Sequence, residues 1–288
     1  MNSGKVRNRG IELQLDGTPV KTKNFTWNST FTWAKNYNKV LSLAAGLTDG
    51  QTIAYTGGTN CALIAKVGGS IGDIYGYKLK RAPDGQVVWK DGITARTTEF
   101  EYVGNAYPAW KAGFSNEFSY KNFRVSILFD GQWGGIVYSQ THHKMTEHGT
   151  LKHTLKYREN PNFEVVGEGV MLDERGQYVP NNVPISVSKY YADYWRRANV
   201  ETNSFDASFL KLREARIEYT IPSAGLNKIG IERLTLALYG RNLAMWTKDF
   251  PVYDPEVATL NNGTIVPGSE MGQLPSTRTM GFNLTLKF

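Results

Sequence analysis

The sequence has little cysteine and no long apolar run. A single Cys61 in 288 residues excludes an internal disulfide framework and a thiolate metal site, both of which need several cysteines. No stretch reaches the roughly 18–20 continuous apolar residues of a transmembrane helix, and mean hydropathy is −0.40, so a helical membrane protein is excluded. Met1–Gly10 is polar and lacks the apolar core of a signal peptide; the chain as written is expected to be part of a longer product or to start at an internal or artificial Met. Lys and Arg outnumber Asp and Glu by 33 to 26, a net charge of +7. No basic run or basic helix accompanies that excess, so nucleic acid is not an expected partner. The pairs Gly57-Gly58 and Gly68-Gly69 lack the strand–loop–Lys–helix order of a phosphate loop, and no cofactor is expected.

Aromatic residues are abundant, at 12%, and they recur at every second position. Phe25, Trp27, Phe31 and Trp33 alternate with Thr26, Asn28, Thr30 and Thr32. Successive strand side chains point to opposite faces, so the segment has one aromatic and one short polar face. Before it, Ile11, Leu13 and Leu15 alternate with Glu12, Gln14 and Asp16. Thr18-Pro19-Val20-Lys21-Thr22-Lys23 is expected to turn, because Pro19 has no ladder donor. Trp110, Ala112, Phe114 and Phe118 repeat the pattern, and after a corner at Tyr120-Lys121-Asn122 so do Phe123, Val125, Ile127 and Phe129. Leu128 alone breaks the polar face there. Ala215, Ile217, Tyr219 and Ile221 form another strand, with Leu210 and Leu212 in the opposite phase; a bulge near Arg213 is expected to reconcile the two. Pro222-Ser223-Ala224-Gly225 ends it. Leu234, Leu236 and Leu238 follow, and finally Met280, Phe282, Leu284, Leu286 and Phe288.

These are about seven strands, each expected near the ~9–11 residues that cross a bilayer at a steep tilt. Short turns alternate with long excursions at about 39–106, 136–205 and 245–275, the layout of an outer-membrane barrel. The fold class expected is all-β: an antiparallel up-and-down transmembrane β-barrel. Seven strands would close only as a parallel pair, so a partial barrel is expected, because unclosed edges in lipid leave backbone groups unpaired. A passive porin shares this pattern. A soluble carbohydrate-binding β-protein would instead bury Phe25, Trp27, Phe31 and Trp33 against a second sheet.

Several motifs resemble the C-terminal third of the SusC/RagA family of TonB-dependent outer-membrane transporters of Bacteroidetes. They are Arg7-Asn8-Arg9-Gly10-Ile11-Glu12-Leu13, Lys23-Asn24-Phe25-Thr26-Trp27, Gly72-Asp73-Ile74-Tyr75-Gly76-Tyr77, Gly104-Asn105-Ala106-Tyr107-Pro108, Tyr120-Lys121-Asn122-Phe123, Ser208-Phe209-Leu210-Lys211-Leu212-Arg213, Tyr239-Gly240-Arg241-Asn242-Leu243 and Tyr253-Asp254-Pro255-Glu256. They run in the family's order along nearly the whole chain. The resemblance implies that residues 1–288 supply about seven of some twenty-two strands, in the outer membrane. It implies as partners the upstream barrel and plug segments of the same transporter, a SusD-like surface lipoprotein, TonB acting through the plug, the barrel-assembly machinery and outer-membrane lipid. It implies import of oligosaccharides or peptides, not enzymatic turnover.

Individual residues follow from the two faces. Phe25, Trp27, Phe31, Trp33, Phe123, Val125, Ile127 and Phe129 are expected to face lipid. Phe288, with Leu286, Leu284 and Phe282 at every second preceding position, is expected to form the signal read by barrel assembly through strand addition. Arg124, Asp130, Arg241, Tyr239, Trp195 and Trp246 are candidate lumen or loop contacts for substrate. Trp89, Tyr190, Tyr191, Tyr194 and Tyr253 belong either to sugar-stacking or lid-contacting loops or to an interfacial belt. Glu12, Asp16, Glu117, Asp130, Glu214 and Glu218, mixed with Lys111, Arg124, Arg216 and Arg241, read as a hydrated, self-neutralising wall, not as a pair of catalytic carboxylates. His142, His143, His148 and His153 are expected to be solvated loop residues and not a metal site.

Overall fold

The period-two pattern produces one seven-stranded antiparallel sheet in strict sequence order: β1 (Lys5–Lys21), β2 (Phe25–Ser42), β3 (Trp110–Tyr120), β4 (Phe123–Trp133), β5 (Phe209–Ile221), β6 (Arg233–Thr247) and β7 (Thr279–Lys287). The computed structural model describes residues 4–44, 46–47, 50–56, 59–222, 226, 230–256, 259–261 and 264–288. Gly57-Gly58 and Ser223–Gly225 lie outside the described residues. The sheet is open, with β1 and β7 at its edges.

Register makes the apolar face continuous. Leu15 pairs with Phe31, Phe31 with Phe114, Phe114 with Phe129 and Phe118 with Val125. Val125 pairs with Ile217, Ile217 with Leu238 and Leu238 with Phe282. Among the described residues no second sheet packs across this face, and Phe25, Trp27, Phe31 and Trp33 are only half-buried. The soluble-sandwich expectation therefore fails. The ladder shifts between Leu212 and Glu214 on one side and between Leu128 and Phe129 on the other. This is the bulge at Arg213, and it returns Leu210 and Leu212 to the face of Ala215 and Ile217.

Two local expectations are corrected. Pro19 does not turn the chain: β1 continues to Lys21, and the register slips between Gly17 and Val20, so Pro19 sits in a bulge that needs no ladder N–H. The turn follows instead, where the Thr22 N–H donates to the Phe25 carbonyl at 2.7 Å. The strands are also longer than a bare crossing, with 17 residues in β1 and 18 in β2. Lys121 adopts φ 50° at the β3–β4 corner, and its N–H donates to the Asn24 carbonyl at 2.9 Å.

The long connections 43–109, 134–208 and 248–278 lie together at one end of the sheet. They carry short strands of their own and two helices, α1 (Gln140–Glu147) and α2 (Val187–Tyr194). The Ser139 hydroxyl accepts from the His142 N–H at 2.9 Å, and the Ser186 hydroxyl from the Lys189 N–H at 3.2 Å; these side chains satisfy first-turn donors and set the helix starts. Cys61, Leu63 and Ile74 from the first connection, Tyr138 and Val200 from the second and Val266 from the third share one buried cluster. The three connections thus form a packed platform over the strand ends.

Candidate functional site

The polar face opposite the aromatic one is a lattice of ion pairs. Arg213, projected from the bulge, grips Asp130 through Nε and Nη2, both at 2.7 Å. Arg241 pairs with Glu214 at 2.9 Å, Arg124 approaches Glu117 at 3.8 Å, and Arg216 pairs with Glu218. The Thr30 hydroxyl and the Gln14 amide both donate to Asp16 at 2.7 Å. These contacts match a self-neutralising wall for four of the six carboxylates. Tyr239 also lies on this face, across from Gly281 in the ladder. A Cβ at Gly281 would stand 2.6 Å from the Tyr239 hydroxyl, so the ring covers the glycine.

The third connection bends back onto this wall. Lys211 donates to both oxygens of Asp254 at 2.8 Å, and each side chain is 3% exposed. Glu256 reaches both Lys211 and Arg213. Burial alone would raise the Asp254 carboxyl, but hydrogen bonds from Lys211 and Ser276 and from the Glu256 N–H hold it below the usual carboxylate value.

Buried polar joints tie the connections to one another. The Asp193 carboxylate accepts from the Thr94 N–H at 2.7 Å and from its hydroxyl at 2.8 Å, linking first and second. Glu270, fully buried, accepts from Ser139, Thr141 and Tyr253 and from the Gly272 N–H at 2.6 Å, linking second and third. Each carboxylate is surrounded by donors, which is the condition for burying one.

Aromatic rings fill the space between the first and second connections. Trp89 stacks on Tyr190 and Tyr194, each 6.1 Å away, and Trp195 lies 5.5 Å from Tyr191 and 5.0 Å from His153. The Trp89 indole donates to the Glu168 carbonyl at 2.9 Å. Trp195 and its neighbours therefore pack the platform instead of offering free stacking faces. Trp246 is corrected differently: it pairs with Leu210 on the apolar face and is exposed there, away from the polar wall.

His142 and His143 are buried, not solvated, because capped helix α1 turns both inward. His142 Nδ1 lies 2.9 Å from Asn203 Oδ1, and His143 Nδ1 lies 2.8 Å from the Trp195 carbonyl. Burial lowers the His142 pKa to about 4, against the raising effect of the Asn203 bond, and lowers His143 and His153 as well. Among the described residues no group of three or more His, Cys, Asp or Glu side chains is arranged to hold a metal ion.

Where the β2–β3 ladder ends at Ala34 and Lys111, the strands part around a cleft of about 870 Å³. Asn8, Asn36, Asn38, Ser70, Asn105 and Lys111 are among its lining.

No family model matches the chain. It is 29% identical over 317 residues to TonB-dependent receptor P26 and 24% identical over 320 residues to TonB-dependent receptor P3, both of Formosa agariphila; all of the chain is aligned, against 30% and 29% of those proteins. TonB-dependent receptor SusC of Bacteroides thetaiotaomicron is 26% identical over 149 residues, 48% of the chain and 15% of its own length. The chain thus spans under a third of the curated relatives it matches. A solved structure of the RagAB peptide transporter superposes with TM-score 0.67 at 19% identity, over 100% of this chain and 30% of that one. The RagAB peptide importer in its closed-closed state gives 0.66 at 21%. The ordered seven-strand sheet and these alignments agree: over its whole length the chain is similar to part of TonB-dependent receptors, and it shares the fold of a stretch of the RagAB transporter's β-barrel.

Proposed function

We propose that residues 1–288 are the C-terminal part of a transporter barrel in the outer membrane, importing oligosaccharides or peptides together with a SusD-like surface lipoprotein. One observation carries this reading: seven ordered strands present a predominantly apolar face on one side and an ion-paired polar face on the other. Such a sheet is suited to lie between acyl chains and water. Phe25, Trp27, Phe31, Trp33, Phe123, Val125, Ile127 and Phe129 meet lipid. Arg124, Asp130, Tyr239 and Arg241 line the aqueous side, where most charges neutralise one another and leave a hydrated path. The wall performs passage and not catalysis. Upstream segments of the same transporter supply the remaining strands and the plug, through which TonB delivers energy.

The packed platform gives the lipoprotein a preformed surface, and the polar cleft beside Asn36 and Asn105 offers hydrogen-bond donors and acceptors to a saccharide or peptide backbone. Leu286, Leu284 and Phe282 are exposed on edge strand β7, with exposed Phe288 just past its end, the geometry that strand addition by the assembly machinery uses. Phe288→Asp in the complete transporter should lower its surface level.

Uptake of labelled oligosaccharide or peptide by cells carrying the complete transporter tests the proposal. Uptake should stop when TonB is depleted. Uptake that persists without TonB identifies a passive porin and overturns the proposal.

A further inference from the structure

On the apolar face the β1–β2 hairpin changes character abruptly toward the platform end. Leu15 opposite Phe31 and Leu13 opposite Trp33 are succeeded by Ile11 opposite Lys35, Arg9 opposite Tyr37, and Arg7 opposite Lys39. The sequence shows no basic run, because these cations sit on two strands at alternate positions; register alone brings them together. Arg7, Arg9 and Lys39 are exposed, and none of the four takes part in an ion pair among the described residues. Lys35 lies over the Tyr37 ring, 4.8 Å from its centroid.

Two observations fix which way this patch looks and at what height. On the opposite side of the hairpin the first connection is seated: Asn38 accepts from the Ile71 N–H at 2.8 Å and the Val40 N–H donates to the Gly69 carbonyl at 2.8 Å, with Val40 buried. Arg7, Arg9 and Lys39 stay exposed on the cationic side. Farther along the same apolar face, Trp110 and Trp133 stack at 6.3 Å, with the Lys248 ammonium 5.5 Å above Trp133. Aromatic side chains of this kind sit at headgroup level, and the cations begin one step beyond the Trp33 row.

We propose that Arg7, Arg9, Lys35 and Lys39 bind the phosphate groups of an outer-leaflet lipid whose acyl chains lie along Leu13, Leu15 and Phe31. This rests on the reading that the apolar face meets acyl chains. Directly opposed like charges such as Arg7 and Lys39 repel, and an intervening phosphate converts that repulsion into two attractions. Arg adds a planar fork matched to phosphate oxygens. The alternation that builds the sheet thus also positions a charged rim immediately above its apolar band.

The test uses the complete transporter in neutral detergent and titrates a bisphosphorylated glucosamine-disaccharide lipid, reading bound lipid by native mass spectrometry. Each cation removed should weaken binding about fivefold, so Arg7→Gln/Arg9→Gln/Lys35→Gln/Lys39→Gln should weaken it by at least about 100-fold. Lys39→Glu, which gives Arg7 an opposite charge across the ladder, should keep the hairpin intact and still weaken binding. The dephosphorylated lipid should not bind, and inorganic phosphate should not displace the lipid. Unchanged binding by the quadruple variant overturns the proposal, as does equal competition by inorganic phosphate. A nitroxide on Leu13→Cys separates the two readings. Oxygen-accessible and water-shielded with unchanged lipid binding, it sinks the lipid site alone; water-accessible, it sinks the lipid-facing reading too.

Discussion

The indole N–H of Trp27 donates to the side-chain carbonyl of Asn116 at 2.9 Å, joining two polar groups of neighbouring strands within the apolar face. Asn116 is 8% exposed, and the Trp27 ring stacks on Phe118 at 5.7 Å. Neither group has water to fall back on if the face lies in lipid. Trp27→Phe and Asn116→Ala should therefore each cost about 1 kcal/mol beyond lost packing. A double-mutant cycle on folding stability should show coupling of about that size; strictly additive costs would contradict the pairing.

Lys211 and Asp254 hold the third connection against the wall from positions where neither has solvent. Lys211→Met leaves the Asp254 carboxylate buried without its ammonium and should destabilise this attachment by about 3–5 kcal/mol. Limited proteolysis should then cut within 248–278 far faster than in the parent. Adding Asp254→Leu should restore much of the resistance, since an apolar pair of similar volume is tolerated.

His142 gives the platform a pH dependence with a definite sign. Its folded pKa of about 4 lies below the ordinary 6.5, so the unfolded segment binds the proton more tightly. Stability is then fully present above pH ~6.5 and is lost as pH falls toward about 4, by up to about 3 kcal/mol. Hydrogen exchange in 140–155 should accelerate across that window, and His142→Gln should flatten the response.

Tyr239 covering Gly281 predicts a local steric cost. Gly281→Ala drives a methyl into the phenol and should cost about 1–3 kcal/mol. Combined with Tyr239→Ser, the penalty should disappear in thermal unfolding; a penalty that persists would mean that the ring does not set it.

The strand-by-strand plan was legible because side-chain alternation is local: the seven strands, the Lys121 corner and even the Arg213 bulge follow from phase alone. Pro19 misled because an edge-strand bulge tolerates a missing N–H as well as a turn does. The platform was not legible. Its partners are remote in sequence, as with Glu270 and Ser139 or Asp193 and Thr94, and it has no period. His142 and His143 looked solvated because their burial depends on a helix only eight residues long, capped by Ser139. Trp246 was misplaced because it ends a strand, where loop and face look alike. The cation rim needed the β1–β2 register, which composition does not contain.

Alternating solvent access along β4 in a bilayer tests the central claim most directly. Nitroxides placed singly from Phe123 to Asp130 should report oxygen at 123, 125, 127 and 129 and an aqueous relaxant at 124, 126, 128 and 130. Apolar Leu128 should follow its face and not its chemistry. Loss of the two-residue alternation, or an aqueous signal at Val125 and Ile127, would contradict a sheet standing between lipid and water.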